Sequence, residues 1–294
     1  MLTRFARLAR SRNDQETAKL CDDAAKTLQG NLEKHGWDGR WYRRAYFDDG
    51  EPLGASSSPE CRIDCLPQAW SVLSGAAMDD RAQMAMQSVM EHLVDWNLGL
   101  IRLFDPPFDQ ASWDPGYIKG YVPGVRENGG QYTHAAVWVI MAAARLHQAD
   151  TAWRLFSAIN PIHHGESRER IERYKVEPYV AAADIYTADG HEGRGGWTWY
   201  TGSAGWMYRL LTDTLLGLRL EVDQLRLEPV LPPGWKGYTI HYRYRSAIYH
   251  IKVTVAGPAT WNVRSIRLDD EVQRGKTIPL VDDGREHLVR VQVG

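Results

Sequence analysis

The sequence has no long apolar run, little cysteine, little phenylalanine and almost no net charge. No hydrophobic stretch approaches the ~20 residues that span a bilayer, so no membrane segment is expected. Formal net charge is -2 and the pI is about 6.6. Nucleic-acid binders carry a basic face, so no nucleic-acid partner is expected. The three cysteines are Cys21, Cys61 and Cys65. That odd number, without a secretion-type leader, predicts reduced thiols in the cytoplasm. Cys61 and Cys65 can share a helical face, but zinc takes about four ligands and no His/Cys pattern accompanies them. No metal site is expected. The opening MLTRFARLARSR lacks an apolar stretch and a small-residue cleavage site. It predicts a helix with Leu2, Phe5, Ala6 and Ala9 on one side rather than a secretion signal.

What is present in excess is amphipathic aromatic surface. There are 12 Trp and 14 Tyr against 5 Phe. Trp and Tyr join an apolar ring to a polar tip. Sugars offer the complement, with C–H patches beside hydroxyls; core packing is the other use of such rings. Hydrophobic residues make up 44% and charged residues 24% of 294, which is enough for a sizeable core.

Residues 14–35 carry Ala18, Leu20, Cys21, Ala24, Ala25, Leu28 and Leu32 at mainly helical spacing. A hairpin follows in WDGRWYRRAYFDDGEPLG, with Asp38-Gly39 and Asp49-Gly50 as turns. Helices are expected over 67–77, 80–95, 131–147, 149–159 and 202–217. Residues 96–130 and 160–200 are long irregular stretches, and such stretches inside a compact domain are commonly functional. From about 222, QLRLEP, YTIHYRYR, AIYHIKVTV, WNVRSIRL and HLVRVQV alternate as half-buried strands do. The expected fold is mainly α with a β tail. It consists of an incomplete (α/α)6 toroid over 1–220 followed by a small antiparallel β domain over 221–294. A closed ring needs about twelve helices of typical length, and about seven are legible.

Two segments concentrate polar chemistry. In DPGYIKGYVPGVRENGGQYTH, Arg126 and Glu127 precede Asn128-Gly129-Gly130. Adjacent glycines allow positive φ and close approach of backbone to a ligand. His134 opens the next helix, where free backbone N–H groups attract anions. A plain loop closing onto a helix accounts for the same letters. In GGWTWYTGSAGW, Thr201, Gly202 and Ser203 sit at a helix start that can cradle a phosphate, although an N-cap explains Thr201 equally. Asp48 and Asp49 are adjacent, and neighbours on a strand face opposite ways, so they serve poorly as an acid/base pair. Glu177 is either a general base or an ordinary partner for an arginine. His163-His164 lacks a third ligand and reads as surface loop.

The motifs WYRRAYFDDGEPLG, GYIKGYVPGVRENGGQYTHAA, VEPYV and GRGGWTWYTGSAGWMYR, in that order, strongly resemble glycoside hydrolase family 94. The nearest likeness is to the C-terminal phosphorylase-like domain of cyclic β-1,2-glucan synthases. Cellobiose, chitobiose and 1,2-β-oligoglucan phosphorylases are similar. The resemblance covers the chain from about Trp37 and includes LEPVLPPGWKGYTIHYRYRSAIYHIKV. It implies inverting attack of inorganic phosphate, the co-substrate, on the anomeric carbon of a β-glucan. It implies phosphate-binding roles for His134, Thr201 and Gly202, and sugar-binding roles for Tyr121, Arg126 and Glu127. The family's general-acid Asp lies in a DWND-type motif, and none occurs here. Asp95-Trp96-Asn97 is followed by Leu98 and falls after the hairpin. No catalytic residue is therefore assigned. A Gln that contacts the donor sugar in cellobiose phosphorylases falls near Ala183, and its absence suggests another linkage. The resemblance implies a part of a glycosyl-transfer module that is inactive alone, with a separate N-terminal half as partner and a parent that can associate with the inner membrane. Two alternatives stay open: a non-catalytic carbohydrate-binding or partner-binding remnant, and an inverting hydrolase using Glu177 with Asp48 or Asp49.

Overall fold

The computed structural model describes residues 1–110, 113–199 and 201–294, and the Thr201 side chain also lies outside the described set. Helices α1 (Leu2–Ser11) and α2 (Gln15–Asn31) form a first pair. Asp14 caps α2 by accepting from the Thr17 backbone N–H at 2.9 Å. The helix runs on into a π-turn at Leu32–Gly36. Helices α3 (Cys65–Ser74) and α4 (Asp79–His92) form a second pair. Asp64 caps α3 through the Leu66 N–H at 2.7 Å, and Gly75, at φ +72°, ends it. Helices α5 (Thr133–Arg145) and α6 (Ala149–Ile159) form the third. Only Leu146–Gln148 separates them, so they pack as antiparallel neighbours. The short α7 (Pro161–His164) and α8 (Arg168–Tyr174) follow, then α9 (Thr201–Arg209), which continues into a π-turn at Leu210–Leu215.

Helix α5 is the centre of this layer. A surface helix is apolar along one stripe; this one is apolar nearly all round, which is the pattern of a buried helix. Ala135, Ala136, Val137, Val139, Ile140 and Ala142 are fully buried. Its alanines let α3, α6 and α9 approach from different sides.

Short antiparallel pairs brace the connections. They are β1 (Ala45–Tyr46) with β2 (Pro52–Leu53), β3 (Ile63–Asp64) with β6 (Phe104–Asp105), β4 (Val94–Asp95) with β5 (Leu100–Ile101), and β7 (Gln131–Tyr132) with β8 (Asp184–Ile185). The expected hairpin is β1–β2. The expected loop 96–130 is less irregular than predicted, for it holds β5, β6 and a 3-10 turn at Gly116–Gly120.

The tail is two sheets. Strands β9 (Leu218–Glu221), β10 (Gln224–Leu227) and β15 (Thr277–Pro279) form one. Strands β11 (Gly237–Tyr244), β12 (Ala247–Val255), β13 (Val263–Leu268), β14 (Glu271–Val272) and β16 (Glu286–Val293) form the other, in the order β11-β12-β16-β13-β14. Here the expected all-antiparallel tail needs correcting: β12 and β16 run parallel. Alternation reports which face a side chain takes, not which way the neighbouring strand runs, and β15 in the other sheet separates the two. The tail is tied to the helices by Trp153, whose Nε1–H donates to the Val230 carbonyl at 2.6 Å, and by Trp261 stacked on His147 at 4.1 Å.

The close approach around α5 predicts that Ala143→Leu, at a fully buried position, costs about 1–3 kcal/mol by overpacking. A urea titration should show a lower midpoint with an unchanged slope.

Candidate functional site

The loop leading into α5 is built around Asn128, which is fully buried. Its Nδ2 donates to the carbonyls of Phe108 and Tyr121, each at 2.8 Å, and its Oδ1 accepts from the Phe108 N–H at 2.7 Å. One side chain therefore ties three stretches of loop together. Gln131 extends this, its Oε1 accepting from the Ile101 N–H at 2.9 Å. The glycines after Asn128 are required by the packing of the loop itself. A Cβ at Gly129 would lie 2.9 Å from Pro107 Cβ, and one at Gly130 would lie 3.0 Å from the Arg126 and Gly124 carbonyl oxygens.

The β7–β8 pair then brings the second irregular segment alongside. Tyr132 pairs with Asp184, the Thr133 N–H donates to the Ala183 carbonyl at 2.9 Å, and the Thr133 hydroxyl donates to the Ala182 carbonyl at 2.6 Å. Ala183 is buried in this seam.

His134 enters α5 one residue later. Its ring stacks on Tyr132 at 5.4 Å and 22°, and meets Trp138 edge-on at 6.3 Å. Its Nε2 edge faces α9: a Cβ built on Gly202 would lie 2.8 Å from that nitrogen. Any side chain at 202 would displace the imidazole, and glycine leaves room. Burial lowers the His134 pKa, so the ring is neutral at pH 7. Thr201 heads α9 beside it; the Thr201 side chain lies outside the described residues. Ser203 is fully buried, its hydroxyl toward the Ala181 carbonyl at 3.5 Å.

Arg126 forms the other wall. It sits at φ +52°, in the left-handed region that disfavours a side chain of its size. Its guanidinium carbon lies 4.3 Å from the Trp197 ring centroid and 5.5 Å from that of Tyr121, while its Nε is 3.6 Å from Glu127 Oε2. Asp184 supports this cage from below and was not singled out by the sequence. It is almost wholly buried, and its Oδ1 accepts from the Trp197 N–H at 3.1 Å. A Cβ at Gly196 would lie 2.4 Å from the same oxygen. Burial raises the Asp184 carboxyl pKa, while the Trp197 N–H and the Arg126 charge pull it back. Burial, then the Glu127 charge, raises the Tyr132 phenol. Arg126 thus touches Trp197 and Glu127, and His134 touches Tyr132 and faces Gly202.

A family model described as the glycosyl hydrolase 94 superfamily, catalytic domain, matches residues 1–217. The chain belongs to this superfamily. The glycosyl hydrolase family 65 C-terminal domain matches residues 218–264, which begin with β9. Cyclic beta-(1,2)-glucan synthase NdvB of Rhizobium meliloti (strain 1021) is 49% identical over 253 residues, 86% of this chain and 9% of its own length. N,N'-diacetylchitobiose phosphorylase of Vibrio furnissii is 32% identical across 100% of this chain and 36% of its own length. The chain therefore spans about a third or less of these relatives. A solved sialidase covers 82% of this chain, and 21% of its own, at a TM-score of 0.52 and 14% identity, which speaks to the fold alone.

The remaining sequence candidates lie on other elements. Asp49 closes its hairpin, Oδ1 accepting from the Glu51 N–H at 3.1 Å. Asp95 is spent on a turn: its Oδ1 accepts from the Asn97 and Leu98 N–H groups, both at 3.0 Å. Glu177 is half-buried and accepts from Trp199 Nε1–H at 2.9 Å, a bond that holds its pKa down. Cys61 and Cys65 are buried, their thiol pKa values pushed well up by burial. His163 and His164 occupy α7, in a different lining described below. No helix among the described residues is long and apolar enough to cross a membrane.

The three bonds of Asn128 make Asn128→Ala costly. It strands three buried backbone groups, each worth about 1 kcal/mol or more. Loss of amide-exchange protection should centre on residues 104–128.

Proposed function

We propose that this chain provides the phosphate- and glucan-binding wall of an inverting glycosyl-transfer module of the β-glucan phosphorylase or cyclic β-1,2-glucan synthase type. The observation that carries this reading is the 2.8 Å approach of His134 Nε2 to the Cβ position of Gly202, which brings two loops distant in sequence side by side. Phosphate is already an anion and needs no base; it needs donors that hold it in line with the anomeric carbon. Backbone N–H groups at the start of a helix and one N–H of His134 are donors of that kind, and Gly202 leaves room beside the imidazole for the anion. Thr201 is assigned as a phosphate ligand with His134 and Gly202 on the resemblance alone.

Tyr121, Arg126 and Glu127 would bind the glucan. Arg126 presents a planar fork between two rings, suited to sugar hydroxyls beside C–H faces. In this reading the helices of 1–220 are part of an (α/α)6 ring, and 221–294 forms a separate β unit.

Protonation of the leaving oxygen needs a carboxylic acid. Glu127 is paired to Arg126, and Asp184 is held by Trp197 and Arg126. Neither is placed as the acid, so the acid would come from a partner, an N-terminal half. Loss of a general acid typically lowers rate by about 10²–10⁴-fold. The chain incubated alone with β-1,2-glucooligosaccharide and phosphate should release no glucose 1-phosphate at an ordinary enzyme rate; normal turnover would refute this part. Saturable glucan binding without any phosphate effect would instead favour a purely carbohydrate-binding role.

A second test follows the His134 proton. Burial holds its pKa below the ordinary value of about 6.5 in the free protein. A bound phosphate dianion favours imidazolium, so the pKa should rise on adding inorganic phosphate, read from the His134 ring signals by NMR. An unmoved titration at saturating phosphate would remove His134 from the anion pocket.

A further inference from the structure

A second lining lies on the far side of α6. That helix buries Ala152, Leu155 and Ile159, while Asp150, Trp153, Arg154 and Ser157 share the opposite face at i, i+3, i+4 and i+7. This face forms one side of a cleft of about 700 Å³, within the 300–1,000 Å³ usual for ligand sites. Three other parts of the chain close it: the turn 96–99, the helices α7 and α8, and the segment 232–235 that enters the tail. Tyr121, Arg126, Glu127, His134 and Gly202 are all absent from its lining.

Its aromatic content is high and held open. The Asp95 turn displays Trp96, which is 43% exposed, and Arg154 covers one part of it at 4.7 Å from the ring centroid. Trp235 is 41% exposed and meets Trp153 at 5.1 Å and 44°. Trp153 is pinned by its bond to Val230, so the pair is a rigid platform rather than a loose one.

The charges argue for a neutral ligand. Arg154 is 3.9 Å from Asp150, Arg170 is 3.1 Å from Glu166, and Arg173 is 2.9 Å from Glu169. Each guanidinium already has a carboxylate, so the cleft offers many hydrogen-bonding groups with little net field. His164 adds a polar group held in reserve. It is 9% exposed, stacks on Tyr174 at 4.8 Å, and its Nε2 finds no hydrogen-bond partner among the described residues. Buried polar atoms are nearly always paired, so one without a partner beside a cleft points to a ligand or ordered water.

We propose that this cleft is a second carbohydrate site, which takes a neutral oligosaccharide, with Trp96 and Trp235 as platforms for sugar rings and Asn97, Arg154 and Asp150 as partners for hydroxyls. Indole faces match the C–H faces of a pyranose, and paired Arg/Asp groups match its rim of hydroxyls, which both donate and accept. In a glucan-handling protein, a site remote from the anion pocket raises the local concentration of chain at the main site.

The test is calorimetric titration of the whole chain with β-1,2-, β-1,3- and β-1,4-glucooligosaccharides. The three linkages keep this inference separate from the preceding reading, which commits to a β-1,2-type glucan. Trp96→Ala with Trp235→Ala should weaken binding about tenfold or more, the scale of losing aromatic anchors. Trp96→Phe with Trp235→Phe, which keeps the platforms, should recover most of it. Glu127→Ala should leave this binding component unchanged. Circular dichroism melts confirm that each variant folds. The proposal is overturned if none of the three glycans binds or if the Ala pair binds as the parent does. Binding lost with Glu127→Ala but kept in the Ala pair would also overturn it.

Discussion

Everything at the candidate site hangs on the burial of α5. A helix apolar on nearly every side can sit in only one place, with α3, α6 and α9 closed around it. Its first residues inherit that rigidity. Thr133 is locked to the 182–183 backbone, and His134 follows directly, so the imidazole is aimed by the core rather than by a loop. The partner surface, the start of α9, packs on the same helix. Two segments nearly 70 residues apart in sequence meet because both are anchored to one buried rod. Sites built this way hold their geometry better than sites made of loops alone.

The electrostatics of the pocket are correspondingly restrained. One arginine serves two carboxylates, Glu127 and Asp184, and the histidine is kept neutral by burial. Arg126 therefore does more than line a wall. It holds the Asp184 charge in check from within a cage of rings, and its strained backbone at φ +52° is tolerated because the Asn128 network over-determines the loop.

Much of this was legible. The helical repeat placed α2 to α6 within a few residues, the Asp49-Gly50 turn placed the β1–β2 hairpin, and the alternation placed the tail strands. The ENGG and TGS segments, noticed for glycine beside polar residues at a helix start, do meet in the fold, where His134 approaches Gly202. What was hidden has a common cause. Asn128 and Asp184 act through partners distant in sequence, Phe108 and Tyr121 for one, Trp197 and Arg126 for the other. No local period or spacing announces such bonds. The glycines of ENGG left ligand approach and plain loop closure equally open because their freedom is legible and their neighbours are not; Pro107 and backbone carbonyls are what a Cβ there would meet. The parallel pair β12–β16 was hidden for a related reason, since pairing direction depends on where the chain returns, not on which residues alternate.

The tryptophan excess resolves into two populations with different physics. Trp41 is buried and donates to the Gly54 and Arg62 carbonyls, and Trp153 donates to Val230. These rings fix chain to chain and use the indole N–H as a fastener. Trp96, Trp197 and Trp235 are exposed by 43%, 48% and 41%, and each still has a neighbour that restrains it: Arg154, Arg126 and Trp153 respectively. An exposed ring held rigid has already lost its conformational entropy before a ligand arrives, so stacking on it costs less than stacking on a free side chain. Phenylalanine has no polar tip with which to be held at the surface in this way. Its scarcity, read at first only as an absence, is what a surface designed around restrained, half-wet rings requires.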